Sequence, residues 1–153
     1  MRGIIFTCVV LLFAAAGCGK KEEVKKPVAF SPYVADSISK MVELAEGLKV
    51  TKIKEGVGPK PVVGGEVVIH YTAYLKEGNK EFDSSFKRGE PLHFVYGQKQ
   101  IIEGLEIGIS TMRMGGKAII EIPASLAYGS KGLEPNIPAN SALIYHVELL
   151  GNF

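Results

Sequence analysis

Two stretches of strict alternation constrain the fold of this chain more than any other feature. Val67, Ile69, Tyr71, Ala73 and Leu75 share one face of an extended segment, with Val68, His70, Thr72 and Tyr74 on the other. Leu143, Tyr145, Val147 and Leu149 alternate in the same way against Ile144, His146 and Glu148. Successive side chains of an extended backbone point to opposite faces, so this period predicts strands with one buried face. The period sets in near Leu48, and shorter runs at residues 91–96 and 118–122 read as further strands. Gly78-Asn79, between two such runs, predicts a hairpin turn. One interruption is helical: Ile101, Leu105 and Ile109 fall four apart, which predicts a short helix with one apolar edge. Several antiparallel strands and one short helix call for a layered α+β solution, the helix covering the apolar face of the sheet.

The first residues read as an address. Arg2 gives a positive start and Ile4 to Ala16 is an apolar run ending in small side chains. That run is shorter than the roughly 20 residues a spanning helix needs and fits the apolar region of a secretory signal. The small residues meet a cysteine at Ala15-Ala16-Gly17-Cys18, which resembles a bacterial lipobox, with Ala15 where a leucine is usual. The resemblance implies removal of residues 1–17 and acylation of Cys18; the alternative is a plain signal peptide with cleavage nearby. Cys8 and Cys18 are the only cysteines, so after cleavage no disulfide pair and no catalytic thiol remain. The expected location is the cell envelope, lipid-anchored. Gly19 is not the aspartate that often signals inner-membrane retention, so the periplasmic face of the outer membrane is favoured if the organism has one.

Residues 18–30 form a charged tether with Pro27, too polar to pack. Residues 31–47 are expected to be helical. Ser31 can cap the segment, Pro32 suits its first turn and Gly47 can close it, while Val34, Ile38, Met41, Val42 and Ala45 recur at helical spacing. Such a helix would lie against its own domain or against a second copy. The folded domain is expected to occupy 48–153.

Charge and motifs exclude several kinds of chemistry. The formal charge is +2, and the excess lies in Arg2 and the lysines of the tether, so no basic face for nucleic acid is visible. His70, His93 and His146 fall on separate strands with no paired cysteines and no HExxH spacing, a poor basis for a metal site. His70 and His146 alternate away from the apolar faces and are expected on the solvent side. Ser84 and Ser85 stand in no GxSxG context, and Gly115-Gly116-Lys117 precedes a strand, which makes it a turn and not a phosphate cradle. No cofactor is implied.

What remains is a set of aromatic and branched residues near strand ends, with Asp83 and Arg88 among them. The blocks His70-Tyr71-Thr72, Phe82-Asp83-Ser84-Ser85, Gly97-Gln98, Ile101-Ile102-Glu103-Gly104-Leu105, Ala127-Tyr128-Gly129, Ile137-Pro138 and Val147-Glu148-Leu149-Leu150 stand in one order and spacing. In this the chain resembles the FKBP family of peptidyl-prolyl cis-trans isomerases, which bind immunosuppressant macrolides, from near Leu48 to the C-terminus. The resemblance implies an FKBP-like antiparallel sheet of five to six strands wrapped over one short helix. It implies proline-containing polypeptides as clients and macrolides as pocket ligands.

By the same resemblance Tyr71, Asp83 and Tyr128 are the catalytic candidates. Phe82, Arg88, Ile101, Ile102, Leu105, Ile137 and Tyr145 are the substrate-binding ones. Leu105, Tyr71, Tyr145 and Phe82 would cradle a prolyl ring, and the Ile102 N–H and Tyr128 hydroxyl would hold substrate carbonyls. Asp83 would line the pocket near the twisting amide, partnered by Arg88 and the Tyr71 hydroxyl; the alternative for it is a salt bridge that fixes the loop. Several positions depart from the family pattern. Tyr145 replaces a phenylalanine, Leu105 stands where many relatives have a tryptophan, and Leu92 where phenylalanine is common. Gln100 replaces a glutamate, Leu133 a histidine, and Asn136 an aliphatic rim residue. The shallower floor leaves a second function open, a non-catalytic chaperone module that binds clients on the same fold.

Overall fold

The computed structural model describes residues 40–44 and 47–152. The signal segment, Cys18, the tether and most of the expected N-terminal helix lie outside the described residues. The described residues form seven strands: β1 Lys40–Glu43, β2 Lys49–Lys54, β3 Glu66–Leu75, β4 Lys80–Ser84, β5 Leu92–Val95, β6 Lys117–Ile122 and β7 Leu143–Asn152. Two helices accompany them, α1 Ser85–Arg88 and α2 Glu103–Ser110. All strand pairs are antiparallel, in the order β1-β2-β6-β7-β3-β4, with β5 also pairing β3.

The alternating segments become the two longest strands and lie side by side. Their register sets Ile69 opposite Leu149, Tyr71 opposite Val147, Ala73 opposite Tyr145 and Leu75 opposite Leu143. Residues directly across an antiparallel pair share a face, so the two apolar sets merge into one surface. On the other side of β7, Ala118, Ile120 and Ile122 of β6 extend it. Helix α2 covers this surface with Leu105 and Ile109. Its glycines allow a close approach: a Cβ on Gly108 would stand 2.7 Å from Ile120 Cδ1, less than any side chain tolerates.

The outer edge of β3 is shared. Its first half pairs with β5 and its second half with β4, and α1 occupies the gap between them. At that gap Ser85, 0% exposed, replaces the missing strand: its Oγ accepts from the Tyr71 N–H at 2.8 Å and donates to the Tyr71 carbonyl at 3.1 Å. With its one hydrogen so engaged, the Ser85 hydroxyl can only accept from His70 Nδ1 at 2.9 Å, which assigns the Nδ1–H tautomer to His70.

Four expectations change. Lys40–Glu43 is a strand paired with β2, Val42 opposite Val50, and not the end of a helix. Gly47, expected to close that helix, has a φ of +81° in the turn between two strands. Ile101 precedes α2 instead of lying on it, since the helix begins at Glu103. His70 is part-buried on Ser85 and stacked on Phe86 at 4.5 Å between ring centroids, and burial lowers the pKa of His146; neither is a plain solvent-side histidine. The Gly78-Asn79 turn forms as expected, with φ of +72° and +49°. Among the described residues no helix is long and apolar enough to cross a membrane.

Candidate active site

A cavity of about 420 Å³ opens where α2, the sheet, the loop before α2 and the connection between β6 and β7 meet. Leu105, 2% exposed, forms part of its lining from α2, and Tyr71 from β3 and Tyr145 from β7 stand beside it with ring centroids 5.5 Å apart. Phe82 meets Tyr145 edge-on at 6.2 Å. Tilted and edge-on aromatic pairs of this kind are favourable beyond their buried area and hold rigid walls.

Strand β4 contributes two consecutive residues, Phe82 and Asp83, to the same cavity. A regular strand would send them to opposite faces. Ala73 pairs with Asp83 and the next residue, Tyr74, pairs with Glu81, so Phe82 is an extra residue on β4. Such a bulge bends the strand and re-aims its side chains.

Asp83 is held on both oxygens. The Tyr71 hydroxyl donates to Oδ2 and Arg88 Nη1 donates to Oδ1, while Arg88 Nη2 donates to the Tyr71 hydroxyl oxygen at 3.1 Å. The Arg88 guanidinium also stands 5.5 Å from the centre of the Tyr71 ring. Arg88 itself does not line the cavity. Expected among the substrate-binding residues, it stands on α1 and bonds to Asp83 and Tyr71, both of which do line the cavity.

The loop before α2 brings Gln100, Ile101 and Ile102 to the rim. It is tied down from both sides: Gln100 Oε1 accepts from the Val95 N–H at 2.8 Å, and Glu106 Oε1 accepts from the Gly97 N–H at 2.6 Å. Ile102 is the N-cap of α2, and its carbonyl accepts from Leu105 and Glu106. Among the described residues no acceptor meets the Ile102 N–H.

Tyr128 enters from the loop after a 3-10 turn at Ala124–Leu126. Gly129 follows it with φ +56°, its N–H bonded to Ala124 O and its carbonyl accepting from Asn140 N, both at 2.8 Å. The Tyr128 hydroxyl has no hydrogen-bond partner among the described residues. Leu133, Asn136 and Ile137 close the far rim, where Leu133 and Ile137 bond to each other through both backbone groups.

The surroundings favour the neutral form of the three phenols that line the cavity. Burial, then the hydrogen bond to Asp83, raises the pKa of Tyr71; burial, then the Asp83 charge, raises Tyr128; burial, with Tyr128, Tyr71 and Asp83 nearby, raises Tyr145 far above the ordinary phenol range. The lining thus combines aliphatic and aromatic carbon with three phenol hydroxyls, the amides of Gln100 and Asn136 and one paired carboxylate. Its side chains include no thiol, amine or imidazole.

Nine of the ten expected catalytic and binding residues converge here, all but Arg88. Ser85 is the residue that sequence reasoning missed. The only sign of it was a second serine directly after Phe82-Asp83-Ser84, in a context that excluded nucleophilic chemistry.

The family profile described as FKBP-type peptidyl-prolyl cis-trans isomerase matches residues 58–150. This chain belongs to that family. The FK506-binding protein of Neisseria meningitidis serogroup B is 41% identical over 104 residues, 68% of this chain and 94% of that protein. The 46 kDa FK506-binding nuclear protein of Spodoptera frugiperda is 40% identical over 107 residues, 70% of this chain but 26% of that much longer protein. Among solved structures, the N-terminal domain of FKBP42 from Arabidopsis thaliana superposes with a TM-score of 0.71 at 32% identity, covering 78% of this chain and 97% of that one. The FKBP-like sheet over one short helix is thus the fold of this chain.

Proposed function

We propose that this FKBP-type domain accelerates cis/trans exchange at X-Pro bonds of polypeptides in the cell envelope, held to a membrane by acyl chains on Cys18. The observation that carries the isomerase reading is the cavity itself. An apolar cradle of Leu105, Tyr71, Phe82 and Tyr145 adjoins an unpartnered Ile102 N–H and a neutral Tyr128 hydroxyl.

An amide resists rotation because conjugation gives its C–N bond double-bond character, with a barrier of about 18–20 kcal/mol. X-Pro bonds populate both isomers, and uncatalysed exchange takes tens to hundreds of seconds. At the twisted midpoint conjugation is lost, the proline nitrogen becomes pyramidal and the carbonyl oxygen sheds negative charge. A dry apolar cradle favours that species over the planar, water-bonded ground state. Only interactions stronger at the midpoint raise the rate, and a 10⁴-fold gain needs about 5.5 kcal/mol. The Ile102 N–H and Tyr128 hydroxyl anchor flanking carbonyls, so the chain on one side of the bond is fixed while the other turns. No covalent step is needed.

The test is a prolyl-peptide exchange assay on the purified protein, with and without a macrolide of the kind the relatives are named for binding. Exchange faster than the spontaneous rate and blocked by the macrolide supports the proposal. Exchange at the spontaneous rate favours the second reading, a client-binding module without turnover, for which the leucines at positions 105 and 133 are the relevant observations. The anchoring part is tested separately: labelled palmitate should enter the wild-type chain in cells and not the Cys18→Ser variant.

A further inference from the structure

Tyr145 carries a hydroxyl that the pocket's own structure does not use. The residue is 6% exposed and lines the cavity, yet among the described residues no acceptor or donor meets its oxygen. No hydrogen bond joins it to Tyr71, Asp83 or Tyr128, which line the same cavity. Tyr71 donates to Asp83, and both oxygens of Asp83 are bonded, one to Tyr71 and one to Arg88. The Tyr145 ring stands 5.5 Å from that of Tyr71 and 6.2 Å from that of Phe82, in the cavity wall that Asp83 and Tyr128 also line.

A phenol in this position has a definite energetic consequence. In the free protein, cavity water can satisfy it. A seated prolyl ring expels that water, and a buried donor left without an acceptor is expensive. The ring carbons of proline offer no acceptor. If the flanking carbonyls go to the Ile102 N–H and to Tyr128, the acceptor that remains beside the ring is the imide carbonyl of the residue before proline. We infer that the Tyr145 hydroxyl donates to this imide oxygen, and so acts as a specificity-determining donor that strengthens ground-state binding of X-Pro segments without speeding their isomerisation.

The second half follows from the chemistry of the amide. A donor on the carbonyl oxygen favours the planar resonance form, in which that oxygen is most negative; at the twisted midpoint the oxygen is a poorer acceptor. The bond therefore holds the planar substrate at least as well as the transition state, and such binding lowers KM without raising kcat. A phenylalanine here would hold substrate more loosely and turn it over no more slowly.

This inference rests on the pocket being a prolyl site, and the experiment separates the two. Wild type and Tyr145→Phe are compared on one X-Pro peptide and on its thioxo analogue, in which sulfur, a weak acceptor, replaces the imide oxygen. Binding is measured by calorimetry and turnover by the exchange assay. The expected result is that the sulfur exchange weakens binding to wild type by about three- to tenfold, the range of one neutral hydrogen bond, and binding to Tyr145→Phe by less than about twofold. KM should rise in Tyr145→Phe with kcat equal or higher. The variant should melt no lower than wild type, since no intramolecular bond is lost. Equal sulfur sensitivity in both proteins overturns the inference, as does a fall in kcat at constant KM. A clear drop in melting temperature also overturns it, because the hydroxyl would then have an internal structural role. A wild type that binds the peptide but does not exchange it refutes the isomerase proposal and leaves the binding comparison intact.

Discussion

Ser85 holds both backbone groups of Tyr71: the same hydroxyl oxygen accepts from the Tyr71 N–H and donates to the Tyr71 carbonyl, fourteen positions away along the chain. A side chain thus does what a neighbouring strand does elsewhere in the sheet, at the residue whose phenol orients Asp83. The arrangement leaves the edge of β3 open for the wall formed by the bulged β4 without leaving its backbone unpaired.

Ser85→Ala should consequently be more damaging than an ordinary serine truncation. It strands two buried backbone groups and the His70 Nδ1–H, and each unsatisfied group costs about 1–3 kcal/mol. A loss of at least about 2 kcal/mol in denaturant unfolding, together with reduced exchange activity, is expected. A loss below about 0.5 kcal/mol would mean that water substitutes freely for the hydroxyl.

Asp83→Asn and Tyr128→Phe should separate wall from anchor. The asparagine weakens the bonds to Arg88 and Tyr71, so both stability and turnover should fall, turnover by about tenfold. If turnover survives while stability drops, Asp83 is a loop-fixing salt bridge. Tyr128→Phe removes a hydroxyl with no intramolecular partner among the described residues, so the melting temperature should hold while kcat/KM falls about three- to tenfold. Unchanged kcat/KM would remove Tyr128 from the mechanism.

Gly108→Ala tests how closely α2 must sit on the sheet. The added methyl would collide with Ile120 of β6, and overpacking of this sort typically costs about 1–3 kcal/mol. Because Leu105 lies one turn away on the same helix, weaker ligand binding should accompany the loss. Crystallography or amide exchange would show α2 displaced; an unmoved helix would contradict the packing described.

Stability should fall in mild acid through His146. Burial lowers its pKa in the folded state from the ordinary 6.5. Between the two values the unfolded chain binds the proton and the folded one does not, so stability is full above pH 6.5 and is lost as the pH drops towards the folded value. Replacing His146 by glutamine should flatten this part of the pH–stability curve, measured by denaturant midpoints. An unchanged slope would assign the acid sensitivity to other groups.

Much of this protein is visible in one dimension. The alternation in β3 and β7 identifies the buried face residue by residue, because a strand's period of two is a property of the backbone alone. The Gly78-Asn79 turn is equally local. The cavity residues were recognisable as a set through the order and spacing of short blocks, and nine of the ten meet in space.

What escaped that reading depends on partners distant in sequence. Met41 and Val42 have helical spacing with their neighbours, but Val42 finds Val50 across a hairpin and the segment extends. Phe82 and Asp83 reach one cavity only because β4 carries an extra residue against β3. Arg88 meets Asp83 and Tyr71 only because α1 follows β4 at this point of the sheet, and Ser85 matters only because β4 and β5 leave Tyr71 without a partner on that edge of β3. Periodicity and composition determine which side of an element is apolar. Register, bulges and bonds from side chain to backbone are decided when the sheet assembles, since each depends on the free energy of a pairing that no local segment contains.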